Sequence, residues 1–174
     1  MHYINHYNSP LGKITLASNG NELIGLWFEG QKYFGSTLNG EYKQKSLPVF
    51  EQTAKWLDVY FSGQNPNFTP PLYLSSTSFR NEVWKILLTI PYGKIMTYGE
   101  IAKLMAENGG VEKMSAQSVG GAVGHNPISI IVPCHRVVGT DGSLTGYAVG
   151  VDIKEKLLKF ENVDMSKLFV PKSK

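Results

Sequence analysis

Cys134 is the single cysteine of the chain, and it stands in the run Ile130-Ile131-Val132-Pro133-Cys134-His135-Arg136-Val137-Val138. Free cysteine packs as a small hydrophobe and is among the most buried residue types, so core filling is the plain reading of a thiol in apolar company. The two side chains after it argue otherwise. Imidazole and guanidinium are costly to bury without partners, whereas cationic neighbours lower a thiol pKa from about 8.5 toward neutrality. Pro133 has no N–H to give a sheet ladder, so a strand over residues 128–132 is predicted to end there and present Cys134 at its mouth. A thiolate so placed is a soft nucleophile suited to displacement at carbon.

The rest of the chain must position that sulfur. With 174 residues and 42% hydrophobic content, it can bury a core as one domain or two small ones. No run approaches the roughly 18 apolar residues of a membrane helix, and Met1-His2-Tyr3-Ile4-Asn5-His6 lacks the basic and apolar regions of a secretory signal, which predicts a cytoplasmic protein without membrane contact. One cysteine and four scattered histidines provide no structural zinc set, and His2 and His6 read as a floppy polar terminus; no metal or cofactor is expected. Charge divides unevenly. Residues 1–77 carry five Lys against five acids, and residues 78–174 carry twelve Lys and Arg against nine acids, so the basic excess lies with the cysteine.

The first third reads as a β-meander, with turns at Ser9-Pro10-Leu11-Gly12 and at Asn19-Gly20, a dipeptide that tolerates positive φ. Residues 29–47 read as loop. Phe50, Ala54, Leu57 and Phe61 then fall on one helical face, with Gly63 as the stop. The proline-rich stretch 65–71 must be extended and divides the chain into domains at 1–75 and 76–174. In the second part Ser78 is a candidate cap for a helix carrying Phe79, Val83, Ile86, Leu87 and Ile90, ended by Pro91. Thr97 and Glu100 match a capping box before a helix through Ile101, Leu104 and Met105, which Asn108-Gly109-Gly110 ends. Ser115 is placed to cap another, 116–123. Two helices about a glycine turn make a helix-turn-helix plausible. Within the second, Gly120-Gly121 costs about 1 kcal/mol per glycine against alanine, so either another helix or a ligand backbone comes close. Asp152 is a candidate cap for a last helix, 153–160, and Glu161 faces the unfavourable end of its dipole.

Pro133-Cys134-His135-Arg136-Val137, preceded by Gly124-His125-Asn126-Pro127 and followed by Gly146-Tyr147-Ala148, resembles the O6-alkylguanine-DNA alkyltransferases over roughly residues 78–161. The resemblance implies an α+β chain: a small N-terminal α/β, ribonuclease H-like supporting domain, then a mostly helical C-terminal domain with a winged helix-turn-helix. It implies a monomer that binds alkylated double-stranded DNA through the minor groove and flips O6-alkylguanine, and by extension O4-alkylthymine, into a pocket. The alkyl group then passes once and irreversibly to Cys134. By the same resemblance His135 takes the thiol proton through a water, Glu161 orients that histidine, and Asn126 holds the active-site turn. Tyr98 helps rotate the nucleotide and donates toward the purine. Tyr98, Val137, Tyr147, Ala148 and Val149 line the pocket, and Thr97, Ser115, Ala116, Gln117, Gly120, Gly121 and Arg136 face DNA.

Chemistry supports that implication. Displacement at an alkyl carbon needs a polarisable nucleophile, a base activates the thiol, and a base pair must open because the reacting oxygen is unreachable in the stack. Two departures from the family pattern stand out. Gln117 occupies the place of an arginine that enters the stack; an amide can still pair with the orphaned cytosine, with weaker DNA affinity. Val149 stands for a glycine, which narrows the loop against bulky groups such as benzyl. Other classes fit less well. A non-catalytic sensor of similar fold would lack Cys134, adjacent Cys and His do not easily form the in-line pair of a cysteine hydrolase, and a sequence-specific regulator would not need the thiol.

Overall fold

The computed structural model describes residues 1–109, 114–145 and 147–171. Gly110, in the predicted helix stop, and Gly146, in the tyrosine loop, lie outside the described residues. The fold is α+β, and the chain divides into two compact units: residues 1–75 with 127–131, and residues 76–126 with 132–171 of those described.

The first unit is built on a four-stranded sheet in the order β3-β2-β1-β4, formed by β1 (His2–Ser9), β2 (Gly12–Ser18), β3 (Leu23–Phe28) and β4 (Tyr42–Gln44). β1 and β2 pair antiparallel around the two-residue connection Pro10-Leu11, as the meander reading requires. The Asn19-Gly20 corner is longer than a two-residue turn. Asn19 Oδ1 accepts from the Asn21 and Glu22 amides, and Gly20 takes φ +111°. β4 corrects the loop expected over 29–47: three exposed residues pair parallel to β1, too short a run to show periodicity. Trp27 lies over Gly25 so closely that a Cβ there would stand 2.1 Å from the indole, so only glycine fits. Helix α1 (Pro48–Phe61) packs on β1 and β2 through Val49, Phe50, Thr53, Trp56, Leu57 and Tyr60, a face rotated from the expected one that leaves Ala54 and Phe61 half-buried.

The second unit is mainly helical. In α2 (Ser78–Leu87) the cap is Thr77, not Ser78: its side chain accepts from the Arg80 amide. Val83, Ile86 and Leu87 are buried as their spacing predicts, and Trp84 Nε1 donates to the Ala122 carbonyl at 2.8 Å, fixing α2 to α4. Thr97 and Glu100 close the capping box reciprocally, at 3.2 and 3.0 Å, at the start of α3 (Tyr98–Gly109). Ile101 and Met105 are buried, whereas Leu104 is exposed. Ser115 caps α4 (Ala116–Gly124), accepting from the Gln117 and Ser118 amides. A short parallel pair joins β5 (Met96–Thr97) to β6 (Val137–Val138). The last helix, α5 (Val151–Phe160), is capped by Gly150 at φ +113° and not by Asp152, which is exposed in the first turn. Val138, Leu144, Leu158 and Val163 form a core beneath it.

Candidate active site

The approach to Cys134 is a turn, not the expected strand. Only Ile128 makes a bridge, to Leu26, and Ile131 N bonds back to the Ser129 carbonyl at 2.8 Å. Ile130 holds φ +70°, left-handed backbone that a β-branched residue adopts at a cost of about 1–3 kcal/mol; a buried apolar run looks the same in a strand and in a buried turn. Asn126 closes this turn. Its Nδ2 donates to the Val132 carbonyl at 2.8 Å, and its amide also hydrogen-bonds the thiol. Cys134, His135 and Arg136 follow as one 3-10 turn, all buried.

Glu161 organises the charges. Placed just past α5, its carboxylate takes His135 Nε2 on Oε2 at 2.5 Å, and on Oε1 both Arg136 Nε at 2.8 Å and the Gly93 amide at 3.1 Å. Gly93, at φ +80°, brings its backbone N–H to the carboxylate where a Cβ would crowd the Glu161 carbonyl at 3.2 Å. Burial would raise the Glu161 carboxyl, but its bonds to His135 and Arg136 prevail and hold it down at about 2. An ionised carboxylate can only accept, so His135 Nε2 carries the proton and Nδ1 keeps its lone pair. Burial lowers the imidazole below its ordinary pKa against the pull of Glu161, so it is neutral at pH 7 and free to act as a base.

Arg136 is not where the sequence placed it. Its guanidinium is buried, bonded to Glu161 and to the Ile90 carbonyl at 2.7 Å, and lies 5.8 Å from the Tyr92 ring, so it does not face DNA. Nor does it depress the thiol, because its charge is spent on Glu161. Burial instead raises Cys134 to about 11, opposed by the Asn126 hydrogen bond and the charge of Lys154. At rest the sulfur is a thiol.

Lys154 escaped the sequence reading. It is fully buried, its Nζ donates to the Thr145 carbonyl at 2.8 Å, and it lies 5.9 Å from the Tyr98 ring. The signal was present: Lys154, Leu157, Leu158 and Glu161 fall at helical spacing on one buried face, an address that admits lysine only with a reason. Tyr98 gives its hydroxyl proton to the same Thr145 carbonyl at 3.0 Å, so toward a purine it would first have to release it. Val137 and Tyr147 are buried, the Tyr147 ring edge-on to His135 at 6.5 Å, while Ala148 and Val149 are half-buried. On α4, Ser115, Ala116, Gln117 and Gly121 are exposed; Gly120 and Thr97 are half-buried. A Cβ on Gly121 would meet nothing within 4 Å and one on Gly120 only the Tyr98 ring at 3.8 Å, so helix packing within the protein does not explain the pair.

Two family models match the chain: the ribonuclease-like domain of 6-O-methylguanine DNA methyltransferase over residues 2–74, and its DNA-binding domain over residues 78–163. A Mycobacterium tuberculosis protein named methylated-DNA–protein-cysteine methyltransferase is 43% identical over 159 residues, covering 90% of this chain and 92% of its own. A Haemophilus influenzae protein of the same name is 38% identical, covering 92% and 87%. The crystal structure of M. tuberculosis OGT in complex with DNA superposes with a TM-score of 0.79 at 40% identity, covering 95% of this chain and 94% of that one. An α+β fold of this kind around a buried cysteine, histidine and glutamate defines a cysteine-dependent alkyl acceptor. The chain belongs to the methylated-DNA–protein-cysteine methyltransferase family.

Proposed function

We propose that this chain repairs DNA by direct reversal, moving the alkyl group of O6-alkylguanine, and of O4-alkylthymine, from the base to its own Cys134 in a single irreversible turnover. The observation that carries the proposal is the Glu161 to His135 hydrogen bond beside the one thiol, which leaves a neutral imidazole with a basic Nδ1. The steps balance. The Cys134 proton passes to His135 through a water, and the thiolate forms an S–C bond as the C–O6 bond breaks. The electron pair leaves on the purine oxygen, the purine gains a proton, and His135 releases its own. Both substrate and nucleophile are consumed.

Access demands a flipped nucleotide, at a few kcal/mol of unstacking. We assign the minor-groove face to Ser115, Ala116, Gln117, Gly120 and Gly121 of α4 with Thr97, where the glycines let a phosphate backbone approach. Gln117 fills the vacated stack. Tyr98, Val137, Tyr147, Ala148 and Val149 wall the pocket. In this reading residues 76–174 bind DNA and accept the alkyl group, residues 1–75 support them, and the protein acts as a cytoplasmic monomer. Among the described residues no helix is long and apolar enough to cross a membrane.

Intact mass after mixing with one equivalent of duplex containing O6-methylguanine tests the proposal. A gain of one methyl that saturates at one per chain, maps to Cys134 and is absent in Cys134→Ser is expected. Multiple turnovers, or an unchanged mass, would overturn it.

A further inference from the structure

The first unit holds a cup that the acceptor chemistry leaves unused. Its volume is about 340 Å³, within the usual range of ligand pockets, and His2, Asn19, Ser36, Asn39, Tyr73 and Ser75 stand in its wall above the buried Ile24. All of them belong to residues 1–75.

Hydrogen bonds fix the frame of that wall. The Asn39 amide donates to His2 Nδ1 at 3.2 Å, which ties the loop over 36–39 to β1, and Thr37 Oγ1 donates to the Ile24 carbonyl at 2.8 Å, which ties it to β3. Tyr73 N donates to the Leu23 carbonyl at 2.9 Å and brings the segment 73–75 alongside. Asn19 is occupied at its own corner, where Oδ1 accepts from the Asn21 and Glu22 amides. The side chains of Ser36, Asn39, Tyr73 and Ser75 are not: among the described residues none of them has a hydrogen-bond partner in the protein. With Nδ1 accepting, His2 carries its proton on Nε2. A fixed frame therefore presents a carboxamide, hydroxyls and a ring N–H that the fold itself does not use.

Charge narrows the occupant. Among the described residues no lysine, arginine, aspartate or glutamate lines the cup, so a phosphate, carboxylate or ammonium group would lose hydration there without a counter-charge. A neutral ligand rich in hydrogen-bonding groups avoids that cost. Tyr73 is 50% exposed, which leaves aromatic surface bare for a flat ring to stack on. A carboxamide donates and accepts side by side, the match to the N6 and N7 edge of adenine.

We propose that this cup binds the uncharged nucleoside part of a purine, with the base stacked on Tyr73 and its N6 and N7 edge paired to Asn39. The proposal does not depend on Cys134 being the alkyl acceptor.

Titration of the full chain with adenosine, followed by proton–carbon methyl NMR, tests it. The Ile24 δ1 methyl at the floor, assigned through Ile24→Val, should shift saturably with a Kd on the order of 10⁻⁴ M, the value that the binding energy per atom of drug-sized ligands gives for a molecule of this size. Asn39→Ala and Tyr73→Ala, both at exposed positions, should each weaken binding about tenfold, whereas Tyr73→Phe keeps the ring and should bind nearly as the wild type does. Glucose should leave the methyl in place, and AMP should bind no more tightly than adenosine. An unmoved Ile24 methyl at about 10 mM adenosine would overturn the proposal, as would a shift that both alanine variants retain with the wild-type Kd. So would an equal response to glucose, which would make the cup a polyol site. Tighter binding of AMP or of a deoxyadenosine oligonucleotide, read at the same methyl, would also overturn it, because it would seat a phosphate where no cation stands.

Discussion

Glu161→Gln removes one negative charge and almost no volume from the centre of the site. The carboxylate accepts hydrogen bonds from His135 Nε2, Arg136 Nε and the Gly93 amide. Its pKa falls from 4.5 to about 2, which at 1.36 kcal/mol per unit corresponds to about 3 kcal/mol of native-state stabilisation. A depressed folded pKa means that this stability is complete above the unfolded value and is lost as the pH falls from about 4.5 to 2. In Glu161→Gln the loss should be present already at pH 7, about 3–5 kcal/mol, because the Arg136 guanidinium is left buried and uncompensated. Kinetics should suffer separately. The amide has one accepting oxygen, which Arg136 and Gly93 both require, so its NH2 turns toward His135 Nε2 and forces the proton onto Nδ1. The base is then lost, at a cost of about 10²–10⁴ in rate. Urea unfolding at pH 7 and pH 4, followed by tryptophan fluorescence, measures the first effect, and single-turnover methyl transfer by intact mass measures the second. A variant within about 1 kcal/mol and threefold of the wild type would refute the reasoning.

Gln117→Arg should tighten binding to duplex DNA and steepen the dependence of log affinity on log salt by about one, as one more phosphate-range cation is engaged; an unchanged affinity and slope would remove Gln117 from the interface. Val149, half-buried beside Gly150, should make the wild type slow toward free O6-benzylguanine, and Val149→Gly should be labelled faster by about an order of magnitude at equal methyl-transfer rate. Rapid benzyl labelling of the wild type would contradict that account.

Several elements were legible because local chemistry decides them. The capping box at Thr97 and Glu100 and the Ser115 cap satisfy backbone donors within one turn, and the structure repeats both. Caps that depend on where the chain arrives were not legible. Thr77 displaces Ser78 and Gly150 displaces Asp152, because the residue that takes the extended or positive-φ entry becomes the cap, and that entry is set by packing. The run before Cys134 reads as a strand by composition, yet Ile130 at φ +70° makes it a turn, held by contacts with residues about a hundred positions earlier.

The amino-acid order by itself singled out one thiol with a helical second part to carry it, since these follow from residue type and periodicity, whereas the parts given to His135 and Glu161 came only with the family resemblance. The tertiary structure decided the charges. Whether Arg136 spends its charge on the thiol or on a carboxylate, and whether the thiol rests above or below neutrality, depends on desolvation and on the partners the fold supplies. Adjacency in sequence put Arg136 beside the sulfur, but the fold pairs its charge with Glu161, and burial leaves the thiol protonated.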